Sequence, residues 1–477
     1  MNRESGILLH ITSLPNRYGC GSFGKEARDF VDFLKDSGFG YWQVLPFCPP
    51  DVHGSPYKSV SAFAGNPSCI DLTELFHDGL ITEEELQSQV EADPHLCHFD
   101  RLANRYGLFW KASKRIVNRE TVNAFIKAYP PLEEYCQFMA LKAVNQNKPW
   151  WEFDPLQKAD SDIVFMHRFV QYLFFTQWAS LRRYANENGV KIIGDMPIYV
   201  DRDSADVYFN RESFMLDATG RPTKVAGVPP DYFAPEGQLW GNPLYDWTYM
   251  EHHGYSWWKM RMAHTMKLFD GVRIDHFRAF SAFYAVDADA DNAKNGVWMK
   301  GPGLPFVETL KQVANGGMII AEDLGDIDDD VKRLVKESEL PGMRVFQFGF
   351  DSDDCYHRPH AYIPNSVAYS GTHDNNTLLG YLWELEQSKK ELMLDYVGVA
   401  KERWQEAVLP IVKCLMRSAA NLVVFPLQDI LGYGRDTRMN TPGESDNNWA
   451  IRFTAEQING IDRAYWQYLN TVFERKG

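Results

Sequence analysis

The stretch FDGVRIDHF (269–277) is a short apolar run that ends in charge, and its reading decides the fold. In an extended strand successive side chains point to opposite faces, so Val272 and Ile274 share one face while Arg273 and Asp275 share the other. Inward charges are costly unless they are paired or used. A parallel barrel strand meets both demands: its apolar face packs on helices, and its charged end opens at the mouth where barrel enzymes keep their sites.

Further short apolar runs lie on both sides. GILLHI (6–11), YWQVLP (41–46) and VKIIGDM (190–196) precede it, while GMIIAEDL (317–324), MRVFQF (343–348), SVAYSG (366–371) and LVVFPLQ (422–428) follow, which makes eight strands. Helical periodicity separates many of them, at 25–38, 168–188, 304–315, 328–339 and 401–419. Eight strands alternating with helices predict an α/β protein of the (β/α)8 TIM barrel type. Two gaps are too long for simple crossovers. Residues 68–165 hold several helical patterns and are expected to form a helical insertion after strand two. Residues 202–262, rich in Gly, Pro and aromatics, are expected to form a loop-rich insertion after strand three that covers the active site. The barrel is then expected from 1–67, 166–201 and 263–477.

Composition narrows the partners. The 477 residues are 45% hydrophobic and 24% charged, which is ordinary globular composition. A net charge of −15 repels phosphate backbones, so no nucleic-acid partner is expected. Fourteen Trp suit ligands with flat apolar faces, sugars included. Seven Cys without a Cys-x-x-Cys pair read as buried thiols in a reducing compartment. The apolar run Ile7 to Leu9 is too short for a signal peptide, and no stretch reaches transmembrane length. The expectation is a soluble cytoplasmic protein with no membrane partner.

The same parity aims Glu322, near the end of IIAED (319–323), toward the axis, and SGTHD (370–374) carries His373 and Asp374 to the same rim. Three carboxylates at one mouth suit glycoside chemistry, in which one attacks or supports charge while another moves a proton. Arg273 beside Asp275 is expected to keep that carboxylate ionised. Glu322, crowded by other carboxylates and partly desolvated, is expected to hold its proton at higher pH than usual.

GVRIDHFRAF (271–280), IIAEDLG (319–325) and SGTHDNNT (370–377) resemble the signature segments of the 4-α-glucanotransferases, or amylomaltases, relatives of the α-amylases. SPYKSVSAFAGNP (55–67), GDMPIYVDRDSADV (194–207), GQLWGNPLYDW (237–247) and QDILGYGRDTRMNTPG (428–443) extend the resemblance in the family's order. It implies Asp275 as nucleophile, Glu322 as general acid/base, and Asp374 as the residue that grips the sugar and steadies the transition state. It further implies that Arg273 and His373 hold the sugar at the point of cleavage, with Asp195 supporting the pocket. Tyr57 would stack on the same sugar, with Ser55 among the substrate contacts. Gln238, Trp240 and Asn242 would lie on a loop closing over the glucan, and Asn440 in the last loop.

The reaction so implied is retaining transfer of an α-1,4-glucan segment by double displacement, from a maltooligosaccharide to the 4-hydroxyl of glucose, maltose or another glucan, with no cofactor and no metal. Hydrolases of the same clan share the triad; the 55–67 and 237–247 segments favour transfer by resemblance alone.

Two further patterns carry less. GCGSFG (19–24) matches the dinucleotide fingerprint, but six residues including Pro15 separate it from Thr12, and the next strand ends without an acid for a ribose. Asp326, Asp328 and Asp330 mimic a calcium loop, but Val331 stands where its sharp turn needs Gly, so they read as acids opening a helix.

Overall fold

The computed structural model describes residues 3–51, 53–230, 235–350, 355–444 and 448–476. Twelve strands follow one another along the described chain: β1 (Glu4–Leu8), β2 (Tyr41–Gln43), β3 (Lys191–Met196), β4 (Lys224–Val228), β5 (Gln238–Pro243), β6 (Gly271–Ile274), β7 (Ala282–Asp287), β8 (Val297–Lys300), β9 (Met318–Ala321), β10 (Gly342–Val345), β11 (Ser366–Tyr369) and β12 (Leu422–Pro426). Eight of them close a parallel barrel in the order β1-β12-β11-β10-β9-β6-β3-β2, with β2 returning to β1. All eight runs read from the sequence supply one barrel strand each.

The alternation seen in β6 governs the packing. Ile193, Ile320, Met343, Val345, Val367, Tyr369, Leu422 and Val424 form one buried cluster. Val272, Ile274, Ile319 and Ala321 belong to another, shared with helical Trp258, Phe306 and Leu310. One face of each strand thus fills the bore and the other meets the helix layer, as a closed parallel sheet requires.

Helices occupy the chain between β2 and β3, among them Pro130–Val144 and the 27-residue Ser161–Glu187. The latter starts ahead of its apolar periodicity because Asp160 caps it, accepting from the Asp162 and Ile163 amides at 2.8 and 3.1 Å. No described helix is long and apolar enough to cross a membrane.

The segment 202–262 differs from the loops expected of it. β4 and β5 pair with each other, and β4 also pairs with β7 and β7 with β8, giving an antiparallel sheet in the order β5-β4-β7-β8. Two of its strands come after β6, so half of the sheet lies outside the segment. Gly227, read as loop composition, serves close approach: a Cβ there would sit 2.5 Å from the Gln238 carbonyl. Ala226, Phe283 and Ala285 seat the sheet on the outer core.

The glycine-rich run 19–24 is a packing device, since a Cβ on Gly21 would run into the Ile11 carbonyl. Asp328 caps the helix Asp329–Ser338 through the Val331 amide at 2.9 Å. Among the described residues, no group of three or more His, Cys, Asp or Glu is placed to hold a metal ion.

Candidate active site

Register builds the centre of the site. β3 pairs with β6 so that Asp195 lies directly beside Arg273. Arg273 Nη1 donates to both oxygens of Asp195 at 2.9 Å, and its Nη2 lies 3.0 Å from Asp275 Oδ1. The Tyr57 hydroxyl donates to Asp195 Oδ2 at 2.8 Å. Asp195 and Arg273 are buried, while Asp275 keeps 29% of its side chain exposed at the barrel mouth.

Burial lifts the Asp275 carboxyl above its ordinary range even though Arg273 pulls it down. The sequence reading gave Arg273 the deciding weight; desolvation outweighs it because the guanidinium is shared with Asp195.

Glu322 follows the end of β9, and two backbone amides hold its carboxyl. His276 N–H donates to Oε2 at 2.6 Å and Leu324 N–H to Oε1 at 3.1 Å. His276 directly follows Asp275, so one hydrogen bond ties the Glu322 carboxyl to the residue next to Asp275. It adopts left-handed backbone angles (φ 50°, ψ 46°), which a non-glycine residue visits at a cost and which cluster at functional sites. Burial raises Glu322 to about 8; Asp275 adds to the rise, while Arg273 and the His276 amide oppose it.

Asp374 takes the opposite environment. Burial works against its charge, but His373 Nε2 at 3.2 Å and Asn440 Nδ2, donating at 2.6 Å, prevail and hold it well below the usual carboxylate range. Tyr57 stacks on His373 with centroids 5.1 Å apart and planes 19° apart, and Trp449 packs on both rings. Asp275 and Asp374 line one cleft, Glu322 is tied to it through the His276 amide, and the three candidates sit in unlike electrostatic settings, a division of labour suited to acid/base and nucleophilic work on one bond.

Comparison with known proteins identifies the chain that carries this constellation. A family profile described as 4-alpha-glucanotransferase matches residues 9–457. The chain belongs to the 4-alpha-glucanotransferase family. It is 38% identical to the 4-alpha-glucanotransferase of Streptococcus pneumoniae over 99% of this chain and 97% of that one. It is 41% identical to the 4-alpha-glucanotransferase of Thermus thermophilus over 96% of each chain. The solved amylomaltase from Streptococcus agalactiae in complex with acarbose superposes with a TM-score of 0.94 at 34% identity, over the whole of both chains.

In this member of the 4-alpha-glucanotransferase family, a cleft of about 920 Å³, including solvent at its mouth, is lined by Asp275, Asp374, His373, Tyr57, Asn440 and Trp240, among others. Asn242 also lines it and donates to the Val200 carbonyl at 2.9 Å. Trp240, on β5, sets its ring edge-on to His276 at 4.9 Å. Gln238 and Ser55 do not line this cleft. Gln238 accepts from the Trp240 indole at 3.2 Å, and the Ser55 amide donates to Asp51 at 2.9 Å in the turn leading to Tyr57.

Sequence reasoning missed Lys58, Tyr199 and Trp449 on the cleft wall, and Arg438, which donates to the Asp374 carbonyl at 2.6 Å. Each lies within or a few residues beyond a segment that carries the family resemblance, which was the available signal.

Proposed function

We propose that this enzyme moves an α-1,4-glucan segment from a maltooligosaccharide donor to the 4-hydroxyl of glucose, maltose or a longer glucan, with retention, through a glycosyl-enzyme intermediate. The observation that carries the reading is the contrast between Glu322, raised to about 8, and Asp275, in contact with Arg273 at 3.0 Å. At neutral pH the first keeps a proton to give, and the second has the cationic partner that favours its charge.

Asp275 attacks the anomeric carbon while Glu322 protonates the departing oxygen. The bond to sugar removes the Asp275 charge, which had pushed the Glu322 carboxyl up. Glu322, which has given its proton to the departing oxygen, therefore stays ionised and can take one from the acceptor hydroxyl, so the linkage is remade on the same face. Asp374, held ionised, grips the sugar beside His373 and faces the positive charge that develops in the transition state. Arg273 and Asp195 support the pocket, and Tyr57 and Asn440 bound it.

Transfer needs an acceptor glucan to outcompete water. Trp240, Tyr199, Ile198, Pro197 and Trp449 give the cleft apolar walls that favour a sugar face over water. Of the 202–262 segment expected to cover the site, residues 231–234 lie outside the described residues. In this reading the barrel segments 1–67, 166–201 and 263–477 carry the chemistry, and 202–262 supplies cover through Trp240 and Asn242.

The test is Asp275→Asn incubated with maltotriose. Loss of both glucose and longer maltooligosaccharides is expected, and undiminished disproportionation would overturn the assignment. In the parent enzyme, maltose and glucose with steadily growing reducing ends would mean hydrolysis instead.

A further inference from the structure

Asp429 lies in the short helix Leu427–Leu431 that follows β12, and it is 3% exposed. Its carboxylate accepts two hydrogen bonds. Ser370 Oγ donates to Oδ2 at 2.6 Å, and the Leu378 amide donates to Oδ1 at 2.7 Å. Those two residues bracket the turn 371–377, which carries His373 and Asp374. One carboxylate therefore pins both ends of the turn.

Other groups hold the turn elsewhere. Gln347 Nε2 donates to the Asn376 carbonyl at 2.8 Å, and the Asn375 side chain accepts from the Thr372 amide at 2.8 Å. The chain beyond Asp429 reaches the same turn from the side: Arg438 donates to the Asp374 carbonyl, and Asn440 donates to its carboxylate. The stretch 427–440 thus fixes the ends of the turn and partners its central residue.

A buried carboxylate is expensive to keep charged. Among the described residues no Lys, Arg or His forms an ion pair with Asp429, and burial lifts it to about 6 despite the two donors. The two donors, and no cation, offset its burial.

We infer that Asp429 is a positioning residue for Asp374, a carboxylate clamp that fixes the 371–377 turn so that Asp374 meets the sugar at the correct distance. The inference rests on the reading of Asp374 as the residue that grips the sugar. A clamp of this kind acts on kcat through one group, whereas a merely structural carboxylate would change melting temperature without regard to Asp374.

The experiment measures kcat and KM for maltotriose, together with thermal melting, for Asp429→Ala, Asp429→Asn and Ser370→Ala. Each is made in the parent enzyme and in Asp374→Asn, with maltotriosyl fluoride as the donor where activity is low. Misplacement by about 1 Å costs about 10²-fold in rate, so Asp429→Ala should lower kcat by about 10²-fold and change KM by less than about 3-fold. Asp429→Asn should lose less than about 10-fold, since its amide oxygen still accepts from Leu378 and its nitrogen donates to a turned Ser370 hydroxyl.

Residues that act as a unit are non-additive, so in the Asp374→Asn background Asp429→Ala should cost less than about 3-fold more. A folded Asp429→Ala with parent kcat, or equal losses in both backgrounds, would overturn the clamp. Should Asp429→Ala fail to fold, Ser370→Ala decides: a kcat loss that vanishes in Asp374→Asn supports the clamp, and an additive loss or no loss ends it. Full activity in Asp374→Asn alone would instead sink the reading of Asp374.

Discussion

Replacing Arg273 by Leu separates the two tasks assigned to that guanidinium, holding the fold and holding the Asp275 charge. Its side chain is 4% exposed and that of Asp195 is wholly buried. Without it, Asp195 keeps the Tyr57 hydroxyl at 2.8 Å but loses its cation. Breaking a buried pair on one side costs about 3–5 kcal/mol, because a charge is left buried without compensation. Unfolding entropy of about 2.1 cal/mol/K per residue gives roughly 1 kcal/mol/K for a chain of this length, so the melting temperature should fall by about 3–5 °C.

The kinetic effect has a definite sign. Asp275 already titrates above its ordinary range through burial, and Arg273 is the strongest pull the other way. Removing that pull raises it further. Attack requires the ionised form, so the acid limb of kcat/KM should move to higher pH, and the loss at neutral pH should be on the order of 10²-fold or more, as for deletion of a preorganised electrostatic partner. Thermal unfolding and a pH series of kcat/KM on maltotriose read both effects. Should Arg273→Leu melt with the parent and share its acid limb, the electrostatic account of the site would be wrong.

Three further outcomes follow from the same geometry. Glu322 must be protonated in the first step and is raised to about 8, so kcat/KM should fall as pH climbs through about 8; a profile flat to high pH would contradict the acid assignment. Trp240→Ala should increase the share of hydrolysis on maltotriose, read as reducing ends against longer products, and an unchanged ratio would remove Trp240 from the water-excluding wall. His167 is buried and His264 half-buried, and loss of solvation holds both neutral, each lowered to about 4. The unfolded chain takes up those protons near pH 6.5 and the folded chain near 4, so stability should fall as pH drops between these values, by about 2–3 kcal/mol per imidazole. Denaturant titrations at pH 7.5 and 4.5 check this, and His167→Phe should flatten part of the slope.

What could be read in advance depended on the range of the interactions. The barrel strands announce themselves because each is a local apolar run, and parity inside β6 and β9 already separates Arg273, Asp275 and Glu322 from the outward-facing residues. The sheet β5-β4-β7-β8 was not legible. Its strands are short, Gly227 and the prolines of the 202–262 segment read as loop, and β4 finds one partner only beyond β6. The balance at Asp275 was half legible: its Arg partner follows from an i−2 spacing, but sharing of that partner with Asp195 follows from the β3–β6 register. The left-handed His276 and the Asp429 clamp join residues that no spacing relates.

The most direct test of the central claim is to trap the intermediate on Glu322→Gln with maltosyl fluoride. Fluoride leaves without a proton, so glycosylation proceeds, while deglycosylation lacks its base and the adduct accumulates. Intact mass and peptide mapping should find one maltosyl group esterified to Asp275. Fluoride release with no mass increase, or an adduct on any other residue, would contradict the account.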